Sequence, residues 1–218
     1  MRVVSVNVGQ PREVGWKGRQ FTTSIFKEPV AGRVWLRRLG LDGDRQADPR
    51  VHGGRDKAAY AYPAEHYDAW RRELPGRDLP FGTFGENLTI EGLPPEQVAC
   101  IGDRLRVGSA EVRVTAPRMP CFKLGMKLGE DRFVRRFLAS GRSGYYLAVD
   151  QEGEVQAGDP VALLARGGHG VTVAEVVRLY QDHSDVAGLR RVVADEALPA
   201  DWRDFFAERL ARAATLLG

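Results

Sequence analysis

Between residues 1 and 165, β-branched and aromatic runs of at most seven residues are cut off one after another by glycine or proline. A region punctuated in this way cannot carry a long helix, because glycine weakens helices and proline removes a backbone donor. Short strands joined by turns are what remains. The runs are Arg2–Val8, with Val4, Val6 and Val8 alternating, then Gln20–Phe26, Arg33–Leu36, Leu105–Val107, Glu111–Thr115, Tyr145–Val149 and Val161–Leu164. Gly-Asp recurs at Gly43–Asp44, Gly102–Asp103 and Gly158–Asp159, as expected at tight reversals. The pattern predicts a mainly β, α+β fold: a β-barrel with peripheral helices.

Two helices interrupt the strands. Pro63 precedes Tyr67, Trp70, Arg71 and Leu74 at helical spacing, and Asp131–Leu138 sets Phe133, Val134, Phe137 and Leu138 against Arg135 and Arg136. At residues 166–170 the run Arg-Gly-Gly-His-Gly reads as a flexible junction, after which the period becomes helical. Val173, Val176, Val177 and Tyr180 form one stripe, with Thr172 and Glu175 as a capping box. Val186, Leu189, Val192 and Val193 form a second after Asp185, and Pro199 opens a third with Trp202, Phe205, Phe206, Leu210 and Ala213 inward. The expected division is therefore a β domain, 1–165, and a three-helix domain, 166–218. A unit of about 50 residues rarely supplies more than ~3–5 kcal/mol from its own core. It is expected to dock on the β domain or on a second copy of the chain, which would give a homodimer.

No apolar stretch approaches the ~18 residues of a membrane span, and the first 20 residues lack a secretory layout. The expectation is a cytoplasmic protein without a membrane partner. The net charge of +3 comes from 32 basic and 29 acidic residues, with 27 arginines against 5 lysines. Arginine pairs are scattered among acids, which suits a small anion and argues against a nucleic-acid arm. The helical part is −1 and the β part +4, so an anion site belongs to the β part. Two cysteines, Cys100 and Cys121, are too few for a disulfide framework, a zinc ribbon or an iron–sulfur cluster. Any redox chemistry must use a borrowed centre.

The densest chemical signal is Val114–Leu124, a strand ending in Pro117 and Pro120 and then Cys121 between Arg118 and Lys123. Positive neighbours favour the thiolate, the form that attacks or binds soft metals. Cys100, with apolar neighbours, reads as core. Gly43–Asp48 followed by Val51–Ala58 brings His52, Arg55 and Lys57 around Gly53–Gly54, a cradle for an oxyanion. Asn87 in Phe84–Leu88 could meet a heterocycle edge, or simply make a turn. Thr22, Thr23, Ser24 and Lys27 could hold a phosphate monoester, and a polar strand edge explains them almost as well.

In chain order, Gly-Asp-x-Gln-Ala-Asp, His-Gly-Gly-x-Asp-Lys-Ala, Phe-Gly-Glu-Asn-Leu, Ile-Gly-Asp and Pro-Arg-x-Pro-Cys-x-Lys-Leu resemble the MOSC domain, shared with the C-terminal part of molybdenum cofactor sulfurases. The terminal helices resemble the three-helix extension of its YiiM-like branch. The resemblance implies a β-rich barrel that binds the molybdenum cofactor, a phosphate-bearing pyranopterin dithiolene, and not pyridoxal phosphate. It makes Cys121 the metal ligand and a catalytic residue, and puts His52, Gly53, Gly54, Asn87 and Arg118 in the pocket wall. Thr23, Ser24 and Lys27 correspond to phosphate positions, although distant amidoxime-reducing relatives have Lys-Ser where this chain has Thr23–Ser24.

The activity implied is reduction of N-hydroxylated compounds such as 6-hydroxylaminopurine, a detoxification. The metal serves as Lewis acid and two-electron store, with His52 as candidate acid. Without a flavin fingerprint or a cluster set, electrons are expected from a separate flavoprotein or ferredoxin-type reductase. The rival expectation is a non-catalytic carrier of the cofactor, or of a persulfide on Cys121.

Overall fold

The computed structural model describes residues 1–48, 53–182 and 184–217. In order come β1 (Arg2–Val8), β2 (Arg12–Trp16), β3 (Arg19–Thr23), β4 (Glu28–Pro29), β5 (Val34–Arg37), β6 (Gly40–Leu41), a 3-10 turn (Arg55–Lys57), β7 (Ala59–Pro63), α1 (Ala64–Glu73) and β8 (Leu88–Glu91). Then follow β9 (Arg104–Val107), β10 (Ala110–Pro117), α2 (Phe122–Lys127), α3 (Phe133–Ala139), β11 (Tyr145–Gln151), β12 (Gly153–Val155), β13 (Val161–Ala165), α4 (Val173–Gln181), α5 (Val186–Ala194) and α6 (Ala200–Leu217).

The closed β-barrel expected from the sequence is not formed by continuous ladders. Pairing runs in an open order, β13-β9-β10-β11-β7-β8-β1-β4. The pairs are antiparallel except for β7 and β8, which α1 connects as a parallel crossover. The β1 and β13 sides do meet, at one end. Val3 N donates to Asp159 O at 2.9 Å, Gly158 N to Val3 O at 2.8 Å and Val161 N to Met1 O at 3.0 Å, around an isolated Arg2–Pro160 bridge. Pro160 has no N–H to extend this contact into a ladder. The β2–β3 hairpin and a three-stranded sheet, β12-β5-β6, complete the β structure.

Alternation sets the faces. In β9, Leu105 and Val107 point inward and Arg104 and Arg106 outward. Gly144 shows why glycine stands at the start of β11: φ is +60°, and a Cβ there would lie 2.6 Å from Ala61 O and 2.7 Å from the Tyr60 ring. Two apolar clusters result. One fills the sheet interior; the other, under α1 and α3, gathers Tyr60, Tyr62, Tyr67, Trp70, Phe84, Phe133 and Phe137. Pro63 is the N-cap of α1 and the last residue of β7, one step before the first turn.

The residues after β13 are fastened to the sheet, so the flexible junction expected there is replaced by a stitched one. Asp103 is buried and accepts from Cys100 N at 3.0 Å, Arg166 Nη1 at 2.9 Å and Gly167 N at 2.8 Å. A Cβ on Gly167 would lie 1.9 Å from Ile101 O, so only glycine lets the strand pass so close. Cys100 bridges to Thr172 and is half-buried at this seam, not in the core. Burial raises its pKa, reinforced by Asp103. The capping box of α4 is half formed: Thr172 Oγ1 accepts from Glu175 N at 3.1 Å, while the Glu175 carboxylate pairs with Arg191. Asp185 caps α5 through Gly188 N at 2.8 Å.

Val173, Val176, Leu179, Leu189, Val192 and Phe206 of the helices share one cluster with Ile101, Leu105 and Val112 of the sheet. A Phe206→Ala substitution should therefore lower stability by ~3–5 kcal/mol, in one cooperative transition. Urea titration read by far-UV circular dichroism and by tryptophan fluorescence should give coincident curves at a lower midpoint. Helices melting separately from the sheet would show two independent cores.

Candidate active site

One carboxylate organises the ground around the end of β1. Asp44, in the Gly43–Asp44 turn, accepts from Gly9 N at 2.7 Å, from Lys27 Nζ at 2.5 Å and 2.6 Å, and from Asn87 Nδ2 at 2.9 Å. The Lys27 and Asp44 side chains are 9% and 1% exposed. Burial lowers the Lys27 pKa while Asp44 opposes that shift. Asn87 donates its second amide hydrogen to Asn7 O at 3.2 Å and accepts from Tyr60 N at 3.1 Å. Three loops are thus fixed from behind.

In front of them opens a cleft of about 670 Å³ that includes open solvent. Thr23, Ser24, Lys27, Asn87, Arg118 and Cys121, all singled out from the sequence, line it together. Gly53 and Gly54 are not among the lining residues; they lead into the 3-10 turn, which brings Lys57 to the wall instead. His52 lies outside the described residues. Tyr60, Met119 and Tyr146 also line the cleft, as do Gln46 and Lys123. Tyr146 was legible only as part of the Tyr145–Val149 strand and Tyr60 lay in no expected strand, because their facing depends on how β7 and β11 pair.

The strand end that delivers Arg118 and Cys121 carries a ladder slip. The β10–β11 register shifts between Val114 and Ala116, leaving Thr115 as the extra residue. The Thr115 hydroxyl lies 2.6 Å from Asp56 O and 3.2 Å from Tyr146 O, tying the slip to the 3-10 turn and to β11. Pro117 then ends the strand, and half-buried Cys121 stands at the N-cap of α2.

Polar groups in the cleft divide by whether the protein already satisfies them. Lys27 is matched by Asp44, Lys57 sits 3.9 Å from Asp201 Oδ2, and Lys123 donates to Thr22 O at 3.0 Å. Thr23 Oγ1 accepts from Ile25 N at 3.2 Å, and both Asn87 amide hydrogens are committed to the scaffold. Arg118 differs. It is 6% exposed, its guanidinium lies 5.6 Å from the Tyr60 ring and 5.4 Å from the Phe137 ring, and Nη1 is buried without an acceptor. Ser24 Oγ is likewise buried without a partner. Among the described residues, no aspartate or glutamate lines the cleft. A buried donor without an acceptor costs about 1–3 kcal/mol, more when charged, and an anion that reaches both groups removes that cost.

The donor set therefore suits an anionic, soft-metal group: one thiol beside a buried cation and a buried hydroxyl that lack acceptors. The sequence matches the descriptions "MOSC domain" over residues 48–162 and "YiiM-like, 3-alpha helix domain" over 171–213. The chain belongs to the MOSC domain family. It is 40% identical over 208 residues to the "Uncharacterized protein YflK" of Bacillus subtilis (strain 168), a match covering 95% of this chain and 93% of that one. The crystal structure of YiiM from Geobacillus stearothermophilus superposes with a TM-score of 0.80 at 36% identity, covering 96% of this chain and 98% of that one. A Gibberella moniliformis protein named "Reductase" is 35% identical over 167 residues, which cover 75% of this chain and 29% of that longer one. No helix among the described residues is long and apolar enough to cross a membrane.

Behind the cleft, Lys127 donates to Ile25 O at 3.0 Å and Gly82 O at 2.7 Å, joining the two loops that flank Ser24 and Gly85. Burial lowers its pKa to about 8, against the attraction of Glu86. The unfolded chain keeps that proton up to the ordinary lysine value of 10.5, so between about pH 8 and 10.5 it binds more protons than the folded one. Stability relative to Lys127→Met is then expected to rise with pH across that window, by up to about 3 kcal/mol. Chemical denaturation of both proteins at pH 7.5 and 10 checks the sign. An invariant difference would place the Lys127 pKa at its ordinary value.

Proposed function

We propose that this MOSC protein is a molybdenum-cofactor-dependent reductase of N-hydroxylated compounds, bases such as 6-hydroxylaminopurine included, acting in the cytoplasm. The observation that carries the reading is the convergence, in one cleft, of the Cys121 thiol with the acceptor-less Arg118 Nη1 and Ser24 Oγ. The relative named "Reductase" agrees with the reaction class.

The chain's residues fit such a group. Cys121 offers the soft sulfur that would complete a coordination already rich in dithiolene sulfur. Arg118 and Ser24 offer donors that would meet the cofactor's phosphate, with Lys123 and Lys57 adding positive field at the wall. Lys27 contributes through the Asp44 node, holding the Thr23–Lys27 segment in place, rather than as a free phosphate-binding cation. Tyr60, Met119 and Ile25 provide apolar cover. When bound, the cofactor supplies Lewis acidity and a two-electron reservoir. Electrons come from a separate flavoprotein or ferredoxin-type reductase, since two cysteines cannot hold an iron–sulfur cluster.

Protein isolated from cells that make the cofactor should contain close to one molybdenum per chain and consume an N-hydroxylated purine when given a chemical reductant. Cys121→Ala should lose turnover by about 100-fold or more, together with the metal. Metal analysis by mass spectrometry and loss of the hydroxylated base by chromatography read both. Molybdenum retained without turnover would point to a carrier instead; full metal and full turnover in Cys121→Ala would overturn the assignment of that sulfur.

A further inference from the structure

Five of the chain's six tyrosines, Tyr60, Tyr62, Tyr67, Tyr145 and Tyr146, sit on or beside β7 and β11, and four have their hydroxyls occupied. Tyr60 donates to Ser143 O at 2.7 Å, Tyr62 to Arg142 O at 3.1 Å, Tyr145 to Pro94 O at 3.1 Å, and Tyr67 to the Glu86 carboxylate. The Tyr146 hydroxyl has no hydrogen-bond partner among the described residues. Tyr146 is half-buried and lines the cleft.

Its backbone is held on both sides. Tyr146 stands opposite Tyr60 on β7 and opposite Ala116 on β10, just past the ladder slip, where Thr115 Oγ1 lies 3.2 Å from its carbonyl. The ring packs 5.7 Å from that of Tyr60. A rigidly mounted hydroxyl facing a cleft is a pre-organised hydrogen-bonding group, with little ordering left to do when a ligand arrives.

We propose that the Tyr146 hydroxyl donates to the exocyclic oxygen of an N-hydroxylated base, and so sets the preference for oxygenated over deoxygenated ligands. The assignment rests on the reductase reading above and adds the residue that recognises the oxygen. Burial raises the Tyr146 pKa, with Arg118 opposing and Cys121 reinforcing that shift, which keeps the phenol a neutral O–H donor and places it within electrostatic reach of both residues. The cleft thereby pairs a group for the oxygen with the sulfur marked for the metal.

The test uses cofactor-loaded protein without reductant, so that nothing turns over, and titrates 6-hydroxylaminopurine and adenine by calorimetry. Wild type should prefer the hydroxylated base by about three- to tenfold, the range of one net hydrogen bond. Tyr146→Phe, which keeps the ring, should lose that preference while holding adenine within about twofold and retaining its full molybdenum. With reductant present, the same variant should show a raised KM. A preference kept by Tyr146→Phe, or absent from wild type that binds both bases, overturns the assignment and leaves the reductase reading standing. Loss of molybdenum in the variant overturns it too, by showing that Tyr146 acts through the cofactor. Wild type that binds neither base overturns the substrate class, and this assignment with it.

Discussion

The cleft depends on a carboxylate that faces away from it. Asp44 gathers a backbone amide from the end of β1, the Lys27 ammonium and the Asn87 amide, all out of reach of bulk water. An ion pair so deeply buried gains attraction and loses hydration in similar measure, so its net value for stability is small. Removing one partner is a different matter, because the remaining charge is stranded. The pair is therefore better understood as fixing geometry: it joins the Gly43 turn, the Thr23–Lys27 segment and the Gly85–Asn87 segment, which otherwise share no covalent closeness.

That node also decides which polar groups remain for a ligand. A lysine next to hydroxyls reads naturally as a phosphate site, and an asparagine after a glutamate as a recognition amide. In the folded chain Asp44 uses Lys27 and one amide hydrogen of Asn87, Asn7 takes the other, and Ile25 N points at Thr23. What is left, beside the Tyr146 hydroxyl, is Arg118, wedged between aromatic rings with one nitrogen unmatched, and Ser24. A buried cation without an acid is tolerated where something outside the protein completes it.

Several elements were legible because their cause is local. A valine-rich run gives β1, the Thr172 hydroxyl starts α4, Asp185 starts α5, and the proline-bounded Cys121 segment marks the cleft. The alternation expected of Val4, Val6 and Val8 is broken, because the ladder slips between Val3 and Ser5 and the fully buried valines are Val3 and Val6. Elements whose cause lies far along the chain were not legible. The Gly-rich stretch after β13 looks loose until Asp103, more than sixty positions earlier, is seen bonding to Arg166 and Gly167. Continuous closure of the sheet looks natural until Pro160 is found at the meeting point. Tyr146 carries no motif, and its place in the cleft wall emerges only from pairing across three strands.

The shared core has a temporal consequence. Lys57 at the cleft wall touches Asp201 at the start of the last helix, and Phe206 packs among residues that support the sheet from the other side. Ribosomes deliver this helix after every residue that lines the cavity. A nascent chain stalled before it would hold an immature pocket over an unfinished interior, so the cavity takes its final shape only once α6 has docked.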